Sequence, residues 1–277
     1  MKLEQSVARH YTHGSLEQAI LEALTAAGKD LDRLAPSDLA PVDEFHIGGR
    51  QATADLAAQI GFGAGLHLLD IGCGLGGGSR YFVHERGCRV TGIDLTEEYV
   101  RVAEALARRV GLENRASYRQ GSALDLPFAP QTFDGAYMLH VGMNIDDKKK
   151  AFAEIRRVLK PGGHFAIYDV MREKSEGELS FPVPWAASPE ASFVESAATY
   201  RRLLAGAGFA VEKERSRREF ATEFFRQMRA RAAETGGPPP LGLHILMGAS
   251  APQKVANMID NLERGLIAPT EIVSRAI

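Results

Sequence analysis

Cysteine is scarce in this sequence: Cys73 and Cys88 are the only two in 277 residues, too few for a disulfide-built scaffold and without the spacing of a zinc site. A reducing compartment is expected, with the cytoplasm as the default. An excess of one charge is lacking too. The 33 basic and 35 acidic side chains leave a formal net charge of −2, which implies no general attraction to nucleic acid or to an anionic membrane. No apolar run approaches the roughly 18 to 20 residues of a membrane span. The opening MKLEQSVARHYTHG holds no continuous apolar segment, so the chain reads as neither secreted nor embedded. No spacing of His, Asp and Glu suggests a metal centre, and no repeat is visible. What is left is an ordinary globular mix, 45% hydrophobic and 25% charged, long enough to bury a sizeable core. A small molecule is the expected partner, and the oligomeric state stays open.

Hydrophobic periodicity organises the chain. Ser15 and Gln18 have the spacing of a capping box ahead of an amphipathic helix (Leu16, Ile20, Leu24) that ends at Gly28. From Leu66 onward, short apolar runs alternate with amphipathic helices, the pattern of βαβ units and a parallel sheet. The expected strands are 66–71, 88–94, 116–121, 133–139 and 164–170. Thr96 and Asp146 or Asp147 stand where helix caps belong, and KPGG (160–163) should stop the helix that Lys148–Lys150 begin, with those lysines on its solvated side. Residues 171–195 have no sustained periodicity and read as a lid. A helix at 197–207, a strand near 209–213, a helix at 219–233 and another at 252–264 follow, with RSRRE (215–219) as a surface connection. The closing APTEIVSRA is expected to return to the sheet edge.

The stretch LLDIGCGLGGGSRYF (68–82) places five glycines within seven positions behind the first strand, with Asp70 just ahead of them. Glycines there let the backbone approach a ligand closely, and the following helix offers unpaired N–H groups. Two cofactors fit. Gly72, Gly74 and Gly77 satisfy the dinucleotide pattern, and Asp94 lies 22 positions after Gly72, where a ribose-binding acid belongs. Asp70 separates the two. Next to a pyrophosphate it would cost on the order of 1 to 4 kcal/mol at contact, whereas next to a cationic donor it is an asset. Asp70 has a structural alternative, capping amides of the glycine turn.

With these residues the sequence resembles the class I S-adenosylmethionine-dependent methyltransferases from about Leu66 to Val170. LLDIGCGLGG (68–77) resembles their first motif and VTGIDL (90–95) their second, GSALDLPFAPQTFD (121–134) their adenine segment, LHV (139–141) the end of their fourth strand, and RVLKPGGHFAIYD (157–169) the helix, turn and strand after it. The resemblance implies S-adenosylmethionine as cofactor, held by Asp70, Gly72, Gly74 and Gly76, by Asp94 and Leu95, by Ser122 and Ala123, and by the backbone at Leu139, with Tyr11 and Ile47 folding over it. At Ser122 the family often carries an acid. DEFHIGGRQAT (43–53), FPVPWAA (181–187) and LGLHILMG (241–248) resemble the small-molecule branch containing sarcosine and dimethylglycine N-methyltransferases, and the signature of base-amino nucleic-acid methylases is absent.

The implied activity is transfer of a methyl group to a nitrogen, oxygen or carbon of a small acceptor. Such a transfer is an in-line displacement that needs positioning and exclusion of water, and for a protonated acceptor a base. His140, at the end of the fourth strand, is the candidate base; its alternative is a neutral packing role. His46, Trp185 and His244 are candidate substrate contacts, against structural roles for each. The expected architecture is α/β: a Rossmann-like seven-stranded mixed sheet with helices on both faces. Residues 1–62 form a helical cover, and residues 63–277 the S-adenosylmethionine-binding domain, with the lid at 171–195 and cap elements at 219–265. A nicotinamide-dependent oxidoreductase and a non-catalytic S-adenosylmethionine-binding protein are the alternatives.

Overall fold

The computed structural model describes residues 2–12 and 14–277. Four helices come first: α1 (Lys2–Tyr11), α2 (Leu16–Ala26), α3 (Pro36–Asp43) and α4 (Gly49–Ala57). Alternation then sets in, as β1 (His67–Ile71), α5 (Gly77–Arg86), β2 (Arg89–Asp94), α6 (Glu97–Arg109), β3 (Ala116–Gln120), β4 (Phe133–Leu139), α7 (Lys148–Val158) and β5 (Leu159–Arg172). The chain closes with α8 (Ala197–Gly206), β6 (Phe209–Ser216), α9 (Arg218–Thr235), α10 (His244–Met247), α11 (Ala251–Glu263) and β7 (Ile267–Ala276).

The strands form one seven-stranded sheet in the order β3-β2-β1-β4-β5-β7-β6. β1 to β5 run parallel, and β7 is antiparallel to both of its neighbours. Both faces are covered, which is why the central strands read as apolar runs. Along β1 the period of two is visible in the packing: Leu68 joins Phe82 and Tyr137 on one face, and Leu69 and Ile71 join Phe152 and Ile155 on the other. The strand order reverses between β1 and β4, and a parallel sheet opens its ligand crevice at the carboxyl ends there.

Several local expectations are corrected. APTEIVSRA does not lie at the sheet edge; as β7 it inserts between β5 and β6, and β6 is the edge. β7 can take that inner position because almost all of it is buried, whereas β6 is largely exposed. Ser15 and Gln18 form no capping box: Gln18 pairs with Glu22 at 2.8 Å, and the Leu16 N–H donates to Glu98 of α6 at 3.1 Å. Thr96 does not cap α6 through its side chain, but Asp147 does cap α7, accepting from the Lys150 N–H at 2.9 Å. KPGG belongs to β5, and β5 also claims residues 171 and 172 of the expected lid.

Two charged residues assigned to the surface are buried instead. Lys148 donates from Nζ to the carbonyls of Ile145 and Phe193, at 2.7 and 2.5 Å, pinning the end of the expected lid segment. Arg217 bonds Asp55 and Glu271 at 2.5 Å each and lies over the Phe220 ring. A buried cation needs compensation, and the counter-charges of Arg217, Asp55 and Glu271, like the Phe193 carbonyl that meets Lys148, lie far away in sequence.

Candidate active site

β1 delivers Asp70 and β2 delivers Asp94 to the crevice. Asp94 is held by two backbone donors, the N–H of Gly74 and that of Thr96, each at 2.9 Å. One carboxylate thereby ties the glycine turn to the end of β2. It has acceptor capacity for further donors, since a carboxylate offers about four lone-pair sites. Asp70 is buried and accepts from the Ser79 hydroxyl at 2.7 Å. Burial pushes its pKa up to about 7, so it is poised to ionise fully when a cation arrives.

The glycines between these acids have distinct functions. Gly74 sits at φ +53° with open space where a side chain would project, and it lines the cavity. Gly76 sits at φ +80° as the residue before α5, and a Cβ there would collide with the Tyr118 hydroxyl. Gly76 therefore serves the turn and is not among the residues lining the cavity. Beneath the turn, Arg80 bonds Asp43 at 2.5 Å and the Leu75 carbonyl at 2.7 Å, clamping α3 to it.

The turn opens on a cavity of about 1490 Å³. Twelve of the residues singled out in the sequence line it: Tyr11, His46, Ile47, Asp70, Gly72, Gly74, Asp94, Leu95, Leu139, His140, Trp185 and His244. Residues from α1 to α11 thus meet at one place. Ser122 and Ala123 line a separate small cavity of about 50 Å³ beside it, together with Glu4. The Ser122 hydroxyl donates to Glu4 of α1 and accepts the Leu124 N–H at 2.9 Å. An acid therefore reaches Ser122 from the N-terminal helix.

His140 follows β4 at φ +54°, a left-handed conformation uncommon outside glycine. Its N–H donates to the Tyr168 carbonyl at 2.7 Å, and among the described residues no group bonds its buried Nε2. Burial, and secondarily His46, push its pKa well below the ordinary imidazole value, so the ring is neutral at pH 7. His46 differs in being bonded at Nε2. Its Nε2 lies 3.1 Å from the Gly49 carbonyl and 3.0 Å from the Thr53 hydroxyl, and burial lowers its pKa to about 4. The rings of His46 and His140 are 5.9 Å apart, and Tyr168 packs against both while its hydroxyl donates to the Ile47 carbonyl at 3.0 Å.

Asn144, which the sequence reading missed, joins three segments. Its Oδ1 accepts from the Tyr11 hydroxyl at 3.1 Å and its Nδ2 donates to the Trp185 carbonyl at 2.9 Å. The one hint was a polar residue four positions after His140, behind an apolar strand. Trp185 is buried, with its indole N–H donated to Ser192 at 2.9 Å, so it offers the cavity a ring and not a donor. His10 also reaches across, to the Pro184 carbonyl at 3.2 Å. α1 and the loop carrying Trp185 thus wall the same side. His244 opens α10, half-buried at the cavity wall.

Residues 69–167 match the family model of the methyltransferase domain. The chain is 34% identical over 128 residues to an O-methyltransferase of Aspergillus sclerotiorum, covering 46% of this chain and 48% of that protein. It is 38% identical over 114 residues to a sterol 24-C-methyltransferase of Gibberella zeae, covering 41% of this chain and 30% of that protein. The chain thus spans less than half the length of these relatives. A solved structure of a putative sarcosine dimethylglycine methyltransferase from Galdieria sulphuraria superposes with a TM-score of 0.63 at 20% identity, covering 81% of this chain and 84% of that one. This last likeness is one of fold. The glycine turn, Asp70, Asp94 and the β4 end all fall inside residues 69–167, the stretch that is similar to the methyltransferase domain family.

Proposed function

We propose that the protein transfers a methyl group from S-adenosylmethionine to a nitrogen, oxygen or carbon of a small acceptor. The observation that carries this reading is the pair of acids, Asp70 and Asp94, at the glycine turn, in a cavity whose only lining lysines or arginines among the described residues are Arg229 and Arg231, both exposed on α9. A pyrophosphate would meet two acids there without a cation, and a positively charged donor meets its complement. The site fits the group in a second way: Asp94 has acceptor capacity beyond its two backbone donors.

In this reading Asp70 faces the donor's ammonium, Asp94 takes the ribose hydroxyls, Gly72 and Gly74 allow close approach, and Leu95, Leu139, Ile47 and Tyr11 enclose it. When bound, S-adenosylmethionine supplies an electrophilic methyl on sulfur, and the electron pair of the broken C–S bond stays with sulfur. The chain's part is to orient the acceptor's lone pair, exclude water and accept a proton where the acceptor has one to lose. His140 Nε2, buried, neutral and without a partner among the described residues, is the group suited to accept that proton. His46, bonded to Thr53 and Gly49, orients the wall against which His140 packs. Residues 1–62 act as a cover and residues 63–277 as the catalytic domain, with the lid and cap elements bounding the acceptor.

Thermal unfolding with S-adenosylhomocysteine and, separately, NAD+ tests the donor. A ligand at 100 times its Kd stabilises by about 2.7 kcal/mol. An upward shift with S-adenosylhomocysteine alone is expected. A shift with NAD+ alone supports the oxidoreductase alternative.

A further inference from the structure

Pockets for one drug-sized ligand run about 300 to 1,000 Å³. A cavity of about 1490 Å³ therefore exceeds the needs of a donor alone and leaves room for a second molecule of comparable size. Its apolar wall includes Trp185 from the lid, Phe225 and Met228 from α9 and Met258 from α11, which pack in one cluster with Ile47, and Leu246 and Met247 from α10. Trp185, Phe225, Leu246 and Met258 are buried, and methionines adapt their shape to irregular apolar surfaces.

Charge is missing from the depth of this region. Of the acids lining the cavity, Asp70 and Asp94 lie at the donor end, Asp43 is paired with Arg80, and Glu44 accepts from Thr53 at 2.8 Å. The Glu44 carboxyl is pushed up to about 8 by burial and by Asp43, and so carries little charge at pH 7. The two lining arginines, Arg229 and Arg231, are exposed on the last turns of α9, and Arg229 lies 3.5 Å from Glu263. A carboxylate, phosphate or ammonium group on a deeply seated acceptor would lose its water and find no counter-charge. Among the described polar groups lining the cavity, Asn144 and His46 Nε2 are already bonded, and the two buried atoms left without a partner are the Tyr99 hydroxyl, which interacts with Asp94 at the donor end, and His140 Nε2.

We infer that the acceptor is a bulky, uncharged, largely hydrocarbon molecule that presents one hydrogen-bonding group to His140, an inference that rests on the donor reading above. The walls supply burial of apolar area, and His140 supplies orientation. Small zwitterions such as sarcosine do not match this cavity.

Trp185 is the only tryptophan, so its fluorescence reports on the acceptor region directly. With the full chain saturated by S-adenosylhomocysteine, farnesol, a neutral fifteen-carbon alcohol, should change Trp185 emission saturably at micromolar concentration, and sarcosine should not at millimolar. Phe225→Asp should weaken farnesol binding by about tenfold or more while S-adenosylhomocysteine affinity stays within about twofold. Met228→Asp, at a half-buried position, is the second variant should Phe225→Asp fail to fold. Saturable binding of sarcosine with none of farnesol, or farnesol affinity unchanged in the foldable variant, would overturn the inference. Failure to bind S-adenosylhomocysteine in the same preparation would instead overturn the donor reading beneath it.

Discussion

The N–H of His140 donates to the carbonyl of Tyr168 at 2.7 Å, and this bond between the β4 end and β5 holds His140 in the left-handed region. Backbone strain of that kind costs about 1 to 3 kcal/mol and persists where the surroundings impose it. Asp169 contributes as well. Buried beside Gly142, it accepts from the Tyr200 hydroxyl at 2.6 Å, tying the turn to α8.

Replacing His140 therefore separates chemistry from backbone strain. His140→Ala should lower kcat by about 10²- to 10⁴-fold if the ring is the base, with donor affinity little changed. His140→Gly should lose as much activity yet unfold at a higher temperature than His140→Ala, because glycine adopts a positive φ at no steric cost. Equal loss of kcat and donor affinity in steady-state and binding assays would return His140 to a packing role.

The pH dependence has two parts. Asp70, at about 7 in the free protein, binds a cation in its ionised form, so donor affinity should fall as pH drops through 7. His140 lies well below its ordinary value, so kcat at saturating donor should stay flat through that range. Calorimetry at pH 6, 7 and 8 checks the first and turnover the second. A donor affinity independent of pH would contradict the role of Asp70.

Asp70 also destabilises the free protein near neutrality. Its native pKa is raised, so between 3.8 and about 7 the native state holds a proton that the unfolded state has released, and stability falls as pH rises through that window. Asp70→Asn keeps an acceptor for Ser79 and removes the buried charge. Its melting temperature at pH 8 should exceed that of the natural protein while its donor affinity drops; a lower melting temperature would contradict this balance.

The sheet was legible because strands buried on both faces appear as apolar runs, and the glycine turn because Asp70, Gly72 and Gly74 lie close together in sequence. Long-range polar pairing was not legible. Lys148 looked like a solvated helix start, and Arg217 like a surface residue, because their partners Phe193, Asp55 and Glu271 are distant in sequence. Asn144 was missed for the same reason: Tyr11 and Trp185 reach it from either side at long sequence separation. The position of β7 depends on which strand is the more buried, which a short β-like run does not reveal.

Asp94→Ala removes the acceptor of two backbone N–H groups and the proposed ribose contact together. Donor affinity should fall by about tenfold or more. Asp94→Asn, which retains one acceptor oxygen, should lose less. An unaltered Kd for Asp94→Ala would contradict the assignment.

α1 spans both cavities through Glu4, His10 and Tyr11. The cavity at Ser122 is about 50 Å³, little more than the share of one water, so a base entering beside Ser122 requires α1 to reseat over it. Hydrogen exchange of the α1 amides should slow when S-adenosylhomocysteine binds. Exchange that ignores the ligand would show that α1 takes no part.

Calorimetric titration of the purified chain at pH 8 with S-adenosylmethionine and with NAD+ tests the central claim most directly. The pair of acids at the glycine turn predicts heat and a single-site isotherm with S-adenosylmethionine, and none with NAD+. Saturable uptake of NAD+ without any of S-adenosylmethionine would contradict it.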